Sequence, residues 1–221
     1  QFKKMNVVVI ILESFAKEYS GYFNPKLDGG KYKGYTPFLD SLAQNGLTFW
    51  YSFANGAKSI DAMPSALASM PSIQTPYVLS HYSNNKIEGL GTLLQKEGYQ
   101  TAFFHGAPNG SMGFDAFASL AGYQKYFGKT EYGKYEDYDG LWGIWDDKFF
   151  QYYAQEINKM EEPFHTALFS LSSHHPFKVP TAYEGRFPEG KLQIHQCVGY
   201  TDNALRQFFE TAKQMPWYNN T

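Results

Sequence analysis

Residues 6–12 read NVVVIIL, an unbroken and largely β-branched apolar run that meets a carboxylate at Glu13. Its length suits a strand. The lack of polar alternation predicts that both faces are covered, which places it centrally in a parallel sheet. Two later segments repeat the theme of an apolar strand ending in a polar group: TAFFH ends at His105, and FHTALFSLSSHH reaches His174 and His175. Open α/β sheets present their ligands beyond the carboxyl ends of parallel strands, so these segments direct Glu13, His105 and His174 to one edge of one sheet. That edge is the expected site. Ser59 of GAKSIDAMPS joins it from a position where a loop enters a helix.

Between the strands the chain carries helix signals. Thr36-Pro37 opens a helix with Thr36 as cap, and Phe38, Leu39, Leu42 and Ala43 form its apolar stripe up to Asn45-Gly46. Residues 47–53 predict a second strand. Residues 59–69 have helical character, and Pro64 is tolerable there only in or near the first turn, which keeps Ser59 close to the helix start. An amphipathic stretch, 87–97, stops at Gly98 and gives way to a strand over 99–105, a βαβ arrangement. Residues 107–140, rich in glycine and tyrosine, read as an elaborated loop with one helix over 114–121. Helices over 146–159 and 196–213 flank a strand over 164–171, with Tyr200, Leu205, Phe208 and Phe209 on the inner face of the last helix. This alternation predicts an α/β fold, a three-layer α/β/α sandwich around a mostly parallel sheet, in one domain covering 1–221. After the last helix the alternation calls for another strand, so the expectation is a domain lacking its C-terminal part.

Composition narrows the function classes. With 221 residues, 43% hydrophobic and 18% charged, the chain has the makings of a sizeable core and is not disordered. A net charge of -2 and the absence of a long Lys/Arg run argue against a nucleic-acid partner. The single cysteine, Cys197, excludes an internal disulfide and a cysteine-based zinc site, and reads as a buried structural thiol. The longest apolar run is strand-sized and far short of a bilayer span. Loops of the GxxxxGK[ST], GxGxxG and GxSxG kinds are absent, which removes the local mechanics of P-loop, Rossmann and α/β-hydrolase sites.

The remaining residues suit phosphoryl chemistry. A strand-end carboxylate such as Glu13 is costly to bury unless solvated, paired or bound to a cation, so it reads as a ligand for Mg, Mn or Zn, or as a cap for the segment that follows. Ser59, in a Gly/Ala loop before a helix, is an N-cap or a nucleophile; helix-end amides there stabilise an anion. Lys58 can attract phosphate, and Asp61 can cap the helix. Of His174 and His175, strand alternation lets one reach inward, and His174 reads as a phosphate ligand. His105 is a substrate-site residue or a strand end packed on the sheet. His81, His165 and His195 carry no comparable context.

Together these stretches resemble the alkaline phosphatase and sulfatase superfamily, and within it the lipoteichoic acid synthase-like branch of envelope phosphoglycerol and phosphoethanolamine transferases. NVVVIILESF, YTPFLDSLAQNGLTF, GAKSIDAMPS, GYQTAFFHG, GLWGIWDDKFF, SLSSHHPF and YTDNALRQFF carry the resemblance, in order, over nearly the whole chain. It implies an alkaline phosphatase-like fold and one divalent metal, manganese in most relatives with Mg or Zn as alternatives, bound by Glu13 and Ser59. Ser59 is then the nucleophile, and His174 contacts the substrate phosphate. It also implies a lipid or glycan phospho-headgroup as substrate, an extracytoplasmic location, and membrane association through a segment absent from this chain.

Three departures qualify it. The Asp-His pair that completes the family's metal site has no counterpart before Thr221. The loop after FFHG reads APNGSMGFD, where the lipoteichoic acid synthases carry a tryptophan and an arginine that grip glycerol phosphate. Ser59 also lacks the C/S-x-P-x-R setting of formylglycine sulfatases, which disfavours sulfate esters. Sulfatase or phosphomonoesterase activity, and a degenerate domain that only binds a headgroup or glycan, are the alternatives.

Overall fold

The structure, a computed structural model, describes residues 3–221. Its elements run β1 (Val7–Ile11), α1 (Pro37–Asn45), α2 (Ser59–Ala68), α3 (Leu90–Lys96), β2 (Gln100–His105), α4 (Phe114–Leu120), β3 (Lys125–Phe127), α5 (Lys129–Tyr132), α6 (Asp146–Ile157), β4 (Phe164–Phe169) and α7 (Ile194–Ala212). The four strands form one sheet in the order β1-β4-β2-β3, and every pairing is parallel. In the register, Ile11 sits beside Phe169 and Phe169 beside His105, so three strands reach the same level at their carboxyl ends.

Strand alternation sorts the side chains into two cores. Ala102, Phe104, Phe164 and Leu168 meet α6 and α7 on one face, through residues such as Tyr153, Ala204 and Phe208. Phe103, Ala167 and Phe169 meet α2 and α4 on the other, through Ile60, Met63, Leu67, Phe114 and Phe117. This is the three-layer α/β/α arrangement. Phe103 and Phe104 are both fully buried on opposite faces. Burial of each contributes on the order of 2–3 kcal/mol, and a slip of β2 by one residue would send each to the wrong core. On α7, Tyr200, Leu205 and Phe208 are buried and Phe209 packs half-buried beside them, as expected. Cys197 is buried, with its thiol donating to Lys178 O at 3.4 Å.

Several expectations need correction. β1 is an edge strand of the described sheet, and all five of its residues are half-buried rather than enclosed. Its apolar run reports that helices cover both faces; it says nothing about neighbours in the plane. Residues 47–53 form no strand, and Leu47, Tyr51 and Phe53 are almost fully exposed, because alternation without a pairing edge leaves extended backbone unsatisfied. Residues 107–140 hold more than one helix: β3 pairs with β2, and α5 follows. β3 has only three residues, too few for a periodic signal. Pro64 lies inside α2, beyond its first turn.

Thr36 does not cap α1. Its hydroxyl bonds to Tyr19 O and Asp40, while the first-turn amides of Phe38 and Leu39 donate to the two carboxylate oxygens of Asp202, each at 2.9 Å. The cap comes from α7, so it also fixes how α1 lies on that helix.

Candidate active site

β1 delivers Glu13 just beyond its last residue, and the backbone there is sewn to the segment leaving β4. The Glu13 amide donates to Ser170 Oγ at 2.8 Å, the Ser173 hydroxyl donates to Glu13 O at 2.5 Å, and the Ser170 amide donates to Ile11 O at 2.9 Å. Glu13 is only 6% exposed. Ser14 Oγ donates to Glu13 Oε1 at 2.7 Å from a residue with φ of 55°, and Glu13 joins no ion pair among the described residues.

The same segment carries His174, and Asp146 braces it. From the first turn of α6, the Asp146 carboxylate accepts the amides of Leu171 at 2.9 Å and Ser172 at 3.0 Å and the Thr201 hydroxyl at 3.0 Å. Burial raises its pKa to about 6 against the opposing pull of those donors. The His174 amide turns back onto Leu171 O at 3.1 Å. The His174 ring is half-buried against Trp142, with centroids 4.0 Å apart, while His175 is exposed. His174 Nδ1 donates to His175 O, which also receives Trp142 Nε1 at 2.5 Å; this leaves His174 Nε2 without a hydrogen bond among the described residues.

His105 ends β2, the strand beside β4. Its Nδ1 donates to Phe169 O at 3.0 Å, and its Nε2 has no partner among the described residues. The ring is buried between Phe114 and Phe169, and burial lowers its pKa to about 4. His105 is therefore neutral at pH 7, and Nε2 is an acceptor, suited to a hydroxyl rather than to a phosphate oxygen.

Ser59 is the first residue of α2 and is half-buried; Ile60 anchors the turn in the core that also holds Phe169 and Ile11. Lys58 occupies the N-cap position and is exposed, and its side chain caps nothing. Asp61 does not cap either. Its carboxylate accepts the Ser72 hydroxyl at 2.9 Å and lies against Gly56, where an added Cβ would sit 2.5 Å from Asp61 Cβ. The buried acid thus supports the GAKS loop from beneath.

Glu13, His174 and His105 come to one edge of the sheet, and Ser59 to the helix over the same end of the core. A metal centre is not assembled: among the described residues no three His, Cys, Asp or Glu side chains are grouped to hold an ion. Glu13 and Ser59 offer two oxygen donors of the right chemistry for a hard divalent cation, fewer than its coordination shell needs.

A sulfatase family model matches residues 5–221. The chain belongs to the sulfatase family. This sulfatase-family domain is 28% identical over 233 residues to lipoteichoic acid synthase 1 of Bacillus subtilis, covering 99% of the chain and 35% of that relative. Among solved structures it superposes on an alkaline phosphatase superfamily protein from Vibrio parahaemolyticus with a TM-score of 0.87 at 24% identity, covering 100% of this chain and 53% of that one. On the lipoteichoic acid synthase LtaP from Listeria monocytogenes the TM-score is 0.80 at 25% identity, covering 99% and 54%. A periplasmic EptC domain from Escherichia coli, solved as a zinc complex, shares the fold at 13% identity and a TM-score of 0.63, covering 97% of this chain and 61% of its own. The chain spans about a third of the curated relative and about half of the first two structures. Among the described residues no helix is long and apolar enough to cross a membrane.

Sequence reasoning on the sulfatase-family domain missed Asp146 and Trp142. Both lie in GLWGIWDDKFF, and the signal was there: a tryptophan between glycines and paired acids at a helix start. In the loop APNGSMGFD, Phe114 is fully buried, and Met112 is exposed with φ of 51°.

Proposed function

We propose that this domain transfers a phospho-headgroup from a lipid or glycan donor to an alcohol acceptor on the extracytoplasmic side of the bacterial inner membrane, through a phosphoester on Ser59. The observation that carries this reading is Glu13: a buried carboxylate with no cationic partner among the described residues, stitched by its own backbone to the segment that presents His174. The family membership and the lipoteichoic acid synthase relatives support the reaction class.

Glu13 and Ser59 would hold a divalent cation together with donors from outside the described residues. Such an ion supplies charge neutralisation on phosphate and a lower pKa for a bound hydroxyl. The chain's own residues do the rest. Ser59 Oγ gives up its proton and attacks phosphorus in line, its bond to phosphorus forms as the bond to the donor's oxygen breaks, and the departing alkoxide takes up a proton in turn. The acceptor alcohol then attacks the same phosphorus, the bond to Ser59 Oγ breaks, and the proton that the alcohol loses is matched by the one that Ser59 regains. The Asp61 amide donates to Lys58 O at 3.0 Å, and with no side chain capping α2 the amides of Ser59 and Ile60 are left to hold a non-bridging oxygen. His174 Nε2 holds another when protonated, and exposed Lys58 draws the anion in.

The test is metal content and phosphodiester cleavage of the full-length protein and of Ser59→Ala, with and without added manganese. Stoichiometric metal, with activity that falls about a thousandfold or more in Ser59→Ala, supports the transferase. No metal uptake and no cleavage remove it and leave a degenerate headgroup-binding domain. Sulfate esters turned over faster than phosphodiesters would instead make the domain a sulfatase.

A further inference from the structure

The carbonyl oxygen of His175 receives two side chains at once. His174 Nδ1 donates to it at 3.0 Å, and Trp142 Nε1 donates to it at 2.5 Å from 33 residues away. A carbonyl oxygen has two lone pairs and can serve both. Because a carbonyl only accepts, Nδ1 carries the proton, and Nε2 is the nitrogen left for a ligand. We propose that Trp142 is a positioning residue that fixes this tautomer and this ring orientation of His174. The inference rests on the phosphate role given to His174 in the transferase reading, and adds to it the group that aims the ring.

Two contacts act together. The indole packs on the His174 ring, with centroids 4.0 Å apart and planes at 49°, which hinders a flip of the imidazole. A flipped ring would set Cδ2–H where Nδ1–H now meets the carbonyl, and the hydrogen bond would be lost. The indole N–H in turn keeps His175 O facing His174. His175 is exposed, and its carbonyl takes no third donor among the described residues, so without Trp142 it could turn to water and release the ring.

Each partner is also held from its own side. The Trp142 amide donates to Asp139 Oδ1 at 2.8 Å, on the oxygen that also takes the amides of Leu141 at 2.8 Å and Gly143 at 3.0 Å. The Ile144 amide donates to Gly106 O at 3.0 Å, which pins this loop to the end of β2. Across from it, Asp146 holds Leu171 and Ser172, and the Phe177 amide donates to His174 O at 2.9 Å. Indole and imidazole thus meet from two supports that are each fixed without the other. The ring is aimed before a ligand arrives, which spares the ligand the cost of ordering it. Only tryptophan offers both contacts here: phenylalanine would keep the face and lose the donor, and leucine would lose both.

The experiment is nitrogen NMR of the full-length protein carrying isotope-labelled histidine, with the His174 signals assigned by their loss in His174→Gln. Neutral His174 should show its proton on Nδ1, a readout that needs no variant of Trp142 to fold. In Trp142→Phe the tautomer ratio should move towards Nε2–H by about fivefold, the scale of one hydrogen bond. The affinity for inorganic phosphate, measured by calorimetry with manganese present, should fall in Trp142→Phe by up to about that factor, as the competent orientation loses population. It should fall no further when Trp142→Phe is added to His174→Gln, a coupling that a tryptophan serving only to hold the loop would not show. A parent ring protonated on Nε2, an unchanged ratio in Trp142→Phe, or a loss of affinity that persists without His174 would overturn the positioning role. The tautomer ratio is read without turnover. If it shifts while phosphate affinity ignores His174→Gln, Trp142 still aims the ring, and it is the phosphate role of His174 that falls.

Discussion

The carboxylate of Asp146 accepts the amide of Leu171 at 2.9 Å, joining the start of α6 to the first residues beyond β4. With the Ser172 amide and the Thr201 hydroxyl on the same carboxylate, one buried side chain satisfies three buried donors. Asp146→Ala strands all of them, at about 1–3 kcal/mol per unsatisfied group. We expect a loss of several kcal/mol in urea unfolding. Asp146→Asn retains one acceptor and should lose clearly less. An alanine variant as stable as the parent would show that the segment before His174 is held by something else.

Asp146 and Asp202 share a pH signature. Burial is the leading cause in both, and each is raised to about 6. Their folded pKa values lie above the unfolded value near 4, so the folded chain holds protons that the unfolded chain has released. Stability from this pair is therefore fully present below about pH 4 and is lost as pH rises through about 6. Each group loses roughly 1.4 kcal/mol for every pH unit that separates its folded value from its unfolded one. Unfolding free energies measured across that window should decline with pH, and Asp146→Asn should flatten the decline by up to one proton's worth. An unchanged slope in the variant would rule out Asp146 as a contributor.

Asp202 also caps α1 from another helix. Asp202→Ala should cost about 1–2 kcal/mol, at the upper end for lost caps because both carboxylate oxygens are engaged. Amide exchange should rise first at Phe38 and Leu39. Thr36→Ala should do much less, since its hydroxyl bonds to Tyr19 O and Asp40. Equal effects of the two substitutions would restore Thr36 as the cap.

Gly143 is where two loops touch. A Cβ there would lie 2.5 Å from Gly106 O and 2.7 Å from Leu171 Cδ1, and the first of these is backbone that cannot turn aside. Gly143→Ala should destabilise the fold by about 1–3 kcal/mol. It should also shift the resonances of His105 and His174, whose strand ends flank the contact. A neutral substitution with unmoved histidine resonances would mean that the loops separate freely.

The strand ends were legible because burial and alternation are local properties: residues 6–13, 99–105 and 164–175 each declare an apolar strand and its polar terminus. In-plane position was not legible. The apolar run of β1 would read the same at the centre or the edge, and the alternation of 47–53 is present whether or not a strand lies beside it. The braces were hidden for another reason. Asp146 meets Leu171 across 25 residues and Asp202 meets Leu39 across 163, and a single acid in a helix does not reveal a distant partner. Ser59 was placed correctly at a helix start, but the same pattern misassigned Asp61, which supports the loop and does not cap the helix.

Among the described residues β1 lies at the edge of the sheet, and that position bears on Glu13. A sheet edge is a template, since one row of its peptide groups is open to pairing. Any extended segment that docked alongside Val7–Ile11, from this polypeptide or another, would set new peptide dipoles a few ångströms from Glu13 and stiffen the ground on which it stands. A strand paired there would therefore alter the field at Glu13 while leaving every side chain named in the site unchanged.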